Sequence, residues 1–240
     1  MTENTLQNTK KELPQKKRSR QKGLRMGIDL AMSALLPLLM AYSLVGEKFH
    51  EIAGTLMFLL FIVHHLINRR WWTSLFKGRY SPARVFRTVI KILLLIFMIL
   101  QPLSGILISK HLYTFVHVRE LTARAREIHL AGAYWGLVLM CAHAGIHLRT
   151  PIARLRKKKA GLAALIKDAA AVISVWGIHV FLKRGIAAYM FLRQKFVFID
   201  PSQSKAVFFF EYLAMMILFA TVGCIIDTIL THRKPENPGR

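Results

Sequence analysis

The chain has 240 residues, 54% of them hydrophobic, and carries 35 Lys and Arg against 12 Asp and Glu, for a formal net charge of +23. A mean hydropathy of +0.37 beside that charge excludes an ordinary soluble core, because the apolar residues are gathered in blocks and the charges lie between the blocks. The two cysteines, Cys141 and Cys224, both fall inside apolar blocks and exclude a disulfide framework.

Residues 1–25 form a basic leader. A basic region of about 25 residues is long for a signal peptide, and no small-residue cleavage site follows it, so an uncleaved anchor is expected. Apolar segments follow at 26–45, 51–67, 85–109, 128–147, 162–182 and 207–230, each near the roughly 20 residues that cross a hydrocarbon core of about 30 Å. The expected fold class is therefore an all-α membrane protein. Its domains are a four-span bundle at 26–149, a basic connection at 150–160, two C-terminal helices at 161–231 and a polar tail at 232–240. Lys167 and Asp168 interrupt the fifth segment, which leaves open a helix lying on the membrane surface.

Lys and Arg in short flanks are retained in the cytoplasm. The leader, the connection holding Arg69, Arg70, Lys77, Arg79, Arg84 and Arg87, and the run from Arg149 to Lys159 go inside on that rule. The short connection before His50 and the 111–127 loop go outside. The excess positive charge is thus assigned to topology, and no nucleic-acid partner is expected. Trp71, Trp72 and Tyr80 are expected as interfacial anchors, and Asp29, Asp168 and Asp227 as partners of Lys or Arg at the inner ends.

Within these segments one spacing occurs twice: His50 is followed by His64, and His129 by His143. Fourteen helical positions return to within about 40° of the same face and climb about 21 Å. Spans two and four run in the same direction, so equal spacings mean equal depths, with His50 level with His129 and His64 level with His143. Histidine inside a span is costly unless it is paired or functional. Two bis-histidine levels stacked across a bilayer suit two b-type haems, with all four imidazoles as iron ligands. No Cys-x-x-Cys-His run is present, so the haems would be non-covalent.

His65 and His147 contest the inner level. His65 lies about 60° past the His50 face, while His147 lies five turns after His129 but about 6 Å deeper than His143. The favoured inner pair is His64 with His143. Gly54, Gly132 and Gly136 lie near the ligand faces, where a missing side chain leaves room for a flat macrocycle, although close helix packing uses glycine equally well. Arg126 outside and Arg69 inside are candidate partners for haem carboxylates. Glu211, at the start of the last span, has the chemistry to pass a proton to a quinone or simply to sit at the interface.

The runs His50-Glu51-Ile52-Ala53-Gly54, His64-His65-Leu66-Ile67-Asn68-Arg69-Arg70-Trp71-Trp72, Arg126-Glu127-Ile128-His129 and His143-Ala144-Gly145-Ile146-His147 resemble those of the flavinylation-associated cytochromes. These are bacterial membrane proteins related in design to the cytochrome b subunits of formate dehydrogenases and hydrogenases. The resemblance implies a multi-pass protein of the bacterial cytoplasmic membrane, N-terminus inside. It further implies electron exchange between membrane quinones and an extracytoplasmic flavoprotein. The Asp-Gly followed by a Ser/Thr-rich run that accepts covalent flavin is absent, so no covalent flavin is expected on this chain. The expectation is an electron-transfer subunit with no catalytic residue of its own. A quinol-dependent reductase, for example of metal ions, and more distantly a haem-free adaptor or transporter, are the alternatives.

Overall fold

The computed structural model describes residues 15–116, 118–197 and 204–232. The first part of the leader and nearly all of the polar tail lie outside the described residues. Of the described residues 85% are helical, none is in a strand, and six helices are long and apolar enough to cross a membrane. It is an all-α, multi-pass membrane protein.

In chain order the helices are α1 (Gln15–Met40), α2 (Tyr42–Val45), α3 (Glu47–Ile67), α4 (Arg70–Leu75), α5 (Pro82–Ile108), α6 (Arg119–Lys158), α7 (Ala160–Lys183), α8 (Ile186–Met190) and α9 (Lys205–His232). The hairpin between α1 and α3 turns at Gly46, whose φ of +88° with ψ of 156° is a conformation open to glycine alone. Helix α5 begins where Ser81 caps it, its Oγ accepting from the Arg84 N–H at 3.3 Å, with Pro82 in the first turn where a missing N–H costs nothing.

Helix α6 is the centre of the bundle: 44% of its apolar window is buried, against 11–22% for the other five. It packs along α5 on one side and α9 on the other, while α7 lies along α9 and α1 against α3. Glycines set the closest crossings. A Cβ at Gly145 would overlap the Ala220 carbonyl, one at Gly223 the Ala142 carbonyl, and one at Gly177 would stand 2.6 Å from the Ala214 oxygen. Lipid-like surroundings supply no hydrophobic drive between helices, so such close backbone approaches carry the packing. The fifth segment is thereby a helix docked lengthwise on α9 rather than an isolated amphipathic one.

Two boundaries differ from those read off hydropathy. Helix α6 has 40 residues where about 20 were expected, because Arg119–Glu127 and, after Thr150 and Pro151, Ile152–Lys158 are charged but rich in good helix formers, and charge ends a membrane span without ending a helix. The first span is broken at Ala41, with α2 as a separate turn.

Candidate functional site

Helices α3 and α6 make little close backbone contact, yet their side chains meet. At the end of the bundle carrying the 109–113 loop, the upper level, the His50 and His129 rings stand 6.0 Å apart with their planes at 71°.

Each member of that pair is held by a different element. His129 Nδ1 lies 3.1 Å from Ser104 Oγ and 3.2 Å from the Gln101 carbonyl, both on α5. The Ser104 hydroxyl donates to the Leu100 carbonyl at 2.7 Å, so its oxygen is left to accept. Both neighbours of Nδ1 are then acceptors, the proton sits on Nδ1, and Nε2 keeps its lone pair. This is the arrangement by which an outer hydrogen bond fixes the tautomer of a metal-binding histidine. The Tyr42 ring meets the His50 ring edge-on at 5.2 Å.

The depth of His50 is set by its neighbour Glu51. That carboxylate accepts from Ser109 Oγ at 2.8 Å and from the backbone N–H groups of Lys110 and Leu112 at 2.8 Å each, with His111 N at 3.2 Å. One acid at the top of α3 thereby caps the loop that leaves α5. Glu47, one turn earlier, accepts from Tyr42 Oη at 2.7 Å and pairs with Lys110 at 2.6 Å. Burial, helped by the Glu47 carboxylate, pushes the Tyr42 phenol up to about 12.

The lower level is arranged differently. His64 Nδ1 lies 2.8 Å from Asp29 Oδ1 on α1, and His65 Nδ1 lies 3.0 Å from the Phe61 carbonyl of its own helix. The His143 ring packs on His147 at 4.6 Å, and among the described residues no ring contact joins it to His64 or His65, although both lie within its electrostatic reach. Asp29, expected to pair with Lys or Arg, pairs with a histidine instead. Asp227 and Glu211 take cations: Asp227 is held by Arg87 and Arg149, Glu211 by Lys183 at 2.9 Å and Arg184 Nε at 2.7 Å.

Against protein-family models, curated proteins and solved structures, the chain matches none. The side chains themselves are therefore what a cofactor has to fit. Two imidazoles on one iron stand with ring centres about 6 Å apart, from about 2 Å per metal–nitrogen bond and about 1 Å from nitrogen to ring centre. The upper pair has that separation. His50 Nδ1 and His143 Nδ1 are buried without a hydrogen bond, and a Cβ on buried Gly136, midway between His129 and His143, would meet no atom within 4 Å. Donor set, spacing and open face fit a flat iron porphyrin at the upper level. At the lower level four imidazoles gather, but the rings of α3 and α6 do not touch.

The other expected residues divide. Gly54 is in ordinary contact with Leu39, its added Cβ lying 3.9 Å from Cδ2. Gly132 faces the end of the Gln101 side chain of α5, which an added Cβ would meet at 2.6 Å. Arg126 and Arg69 are exposed and form no ion pair among the described residues. Ser104, Gln101, Asp29 and Tyr42 were not singled out from the sequence as histidine partners.

Proposed function

We propose that this chain is a membrane electron-transfer protein of b-type cytochrome design, holding two non-covalent haems, with His50 and His129 as ligands of one and His64 and His143 as ligands of the other. The observation that carries the reading is the upper pair: two imidazoles 6.0 Å apart, one with its Nδ1 proton directed to the Gln101 carbonyl and Ser104 and its Nε2 lone pair free. Bis-imidazole iron supplies one-electron exchange with no open position for oxygen. The chain's own part is to hold the rings. Ser104 and Gln101 fix the His129 tautomer, Glu51 fixes the depth of His50, and Asp29 orients His64.

By the positive-inside rule, the end holding Arg69, Arg70 and Arg149 faces the cytoplasm of a bacterial inner membrane and the His50 end faces outward. A quinone would exchange electrons with the chain inside the membrane, and an extracytoplasmic flavoprotein would meet it at the outer end. The resemblance of the His50–Gly54 and Arg126–His129 runs to flavinylation-associated cytochromes supports that choice of partners.

The test is a reduced-minus-oxidised spectrum of the purified chain with a pyridine assay of haem per polypeptide. The expected result is two haems per chain, falling to one in His129→Ala and in His143→Ala. A protein that folds and carries no haem refutes the reading.

A further inference from the structure

The geometry points to a binding site for the anionic phosphodiester headgroup of a membrane lipid, in the cavity between α4 and the start of α5. The cavity, of about 170 Å³, is lined by Trp71, Ser74 and Leu75 from α4 and by Arg84, Arg87, Thr88 and Lys91 from α5. At roughly 30 Å³ per water it has room for about five waters, enough for one phosphate group with its ester oxygens. Each helix contributes one face: positions i, i+3 and i+4 on α4, and i, i+3, i+4 and i+7 on α5. Three cations and two hydroxyls converge, and no carboxylate lines the cavity.

The decisive residue is Lys91. Nine residues after Pro82, it lies about 13 Å along the helix from the start of α5. Its ammonium stands 5.6 Å over the Trp71 ring. Among the described residues it has no hydrogen bond and no ion pair. A cation at membrane depth is expensive and is almost always paired, so the structure leaves this one with a missing anion. Arg84 is similar: its guanidinium donates to the Arg79 and Ser74 carbonyls and lies 4.2 Å over Tyr80, but meets no carboxylate. Arg87 alone is neutralised, by Asp227.

Two features favour a lipid over a free phosphate. Val85, Val89 and Ile92 leave an exposed apolar strip on α5 beside the cationic stripe, along which acyl chains can lie. The cavity also sits at the basic end of the bundle, where pockets between helices meet headgroups. A choline headgroup would bring a fourth positive charge against Arg84, Arg87 and Lys91, so the site selects a net-anionic lipid. Lys91 also lies within electrostatic reach of His143 and His147, so the test separates a lipid phosphate from a haem carboxylate as its partner.

The test uses the full chain in mild detergent, with bound lipid counted by native mass spectrometry and thermal unfolding followed as phosphatidylglycerol, phosphatidylcholine or inorganic phosphate is added. Phosphatidylglycerol is expected to bind and raise the midpoint, and phosphatidylcholine is not. In Lys91→Gln and in Arg84→Gln its apparent affinity should fall about fivefold each, while Lys157→Gln, at the same end of the bundle but outside the cavity lining, leaves it unchanged. Removing an unpaired cation does not endanger the fold, so Lys91→Gln remains measurable. Equal stabilisation by inorganic phosphate would make the site one for free anions and overturn the proposal. So would unchanged phosphatidylglycerol binding in Lys91→Gln, or a loss of haem with lipid binding intact, which would give the lysine to a haem carboxylate.

Discussion

Asp227 ties three helices together, and its neutralisation has a calculable cost. Its carboxylate is 1% exposed and meets Arg87 of α5 at 2.9 Å and Arg149 of α6 at 3.1 Å. Thr231 Oγ1, one turn along α9, accepts from both guanidinium groups at 3.2 and 2.9 Å. Asp227→Asn keeps the shape and removes the charge. Breaking a buried ion pair costs about 3–5 kcal/mol when the abandoned charge stays dry. Here Arg87 and Arg149 are 37% and 30% exposed, so water reaches them, and both keep Thr231. The expected loss is then about 2 kcal/mol, below the dry-pair range. At about 2–4 °C per kcal/mol for a chain of this size, the unfolding midpoint should fall by about 4–8 °C. The assay is thermal unfolding of the purified protein in detergent, followed by tryptophan fluorescence. The combination Asp227→Leu, Arg87→Met and Arg149→Met should recover most of the loss, since an apolar replacement of the whole cluster leaves no orphaned charge. A midpoint for Asp227→Asn within about 1 °C of wild type would refute the reasoning.

Three further outcomes are expected. Ser104→Ala removes one acceptor from His129 Nδ1 and leaves the Gln101 carbonyl. If the proposed haem is bound there, the change should raise its midpoint potential by up to about 40 mV, the equivalent of one hydrogen bond of about 1 kcal/mol, whereas Ser104→Thr should not; equal potentials in all three proteins would sink the assigned tautomer. Tyr42, raised to about 12, stays neutral in the fold when the unfolded phenol, at about 10, already ionises. Its contribution to stability is complete below pH 10 and is lost as pH rises toward 12. The ultraviolet titration difference between wild type and Tyr42→Phe should therefore show a phenol ionising near pH 12, and a value near 10 would contradict the contact with Glu47. Gly145→Ala, which forces a Cβ onto the Ala220 carbonyl, should destabilise by about 1–3 kcal/mol. Gly136→Ala, whose added Cβ has no protein atom within 4 Å, should leave the thermal stability of the haem-free chain unchanged, and equal effects at the two positions there would contradict the packing described.

The spans were legible because hydropathy reports where lipid lies. Their ends were not, since hydropathy is silent on where a helix continues as a charged rod, as α6 does through Arg119–Glu127 and again past His147. The upper histidine level was legible from a fourteen-residue repeat, because periodicity places two rings on one face. The lower level is not resolved by that repeat: His64 and His65 are adjacent, His143 and His147 are one turn apart, and small rotations decide which ring faces which helix. The same unknown rotation hid Asp29, which reaches across to His64 from another helix, and turned Gly132 onto Gln101 while leaving Gly136 clear. Lys91 was readable as a residue in an apolar run, but its lack of a counter-charge becomes visible only when every neighbour has a position.

His129 and His143 ride on one uninterrupted helix, and His50 and His64 on another. The gap between the two levels is consequently ruled by backbone rise, about 21 Å for fourteen residues on either rod, and not by how side chains pack. Substitutions around the rings can retune each level, but no point change short of breaking a helix alters the distance between them. Sliding one rod past the other would spoil both levels at once. The two histidine levels therefore share a single mechanical tolerance, and the acid that fixes the top of α3, Glu51, holds the alignment of the lower level as well as its own.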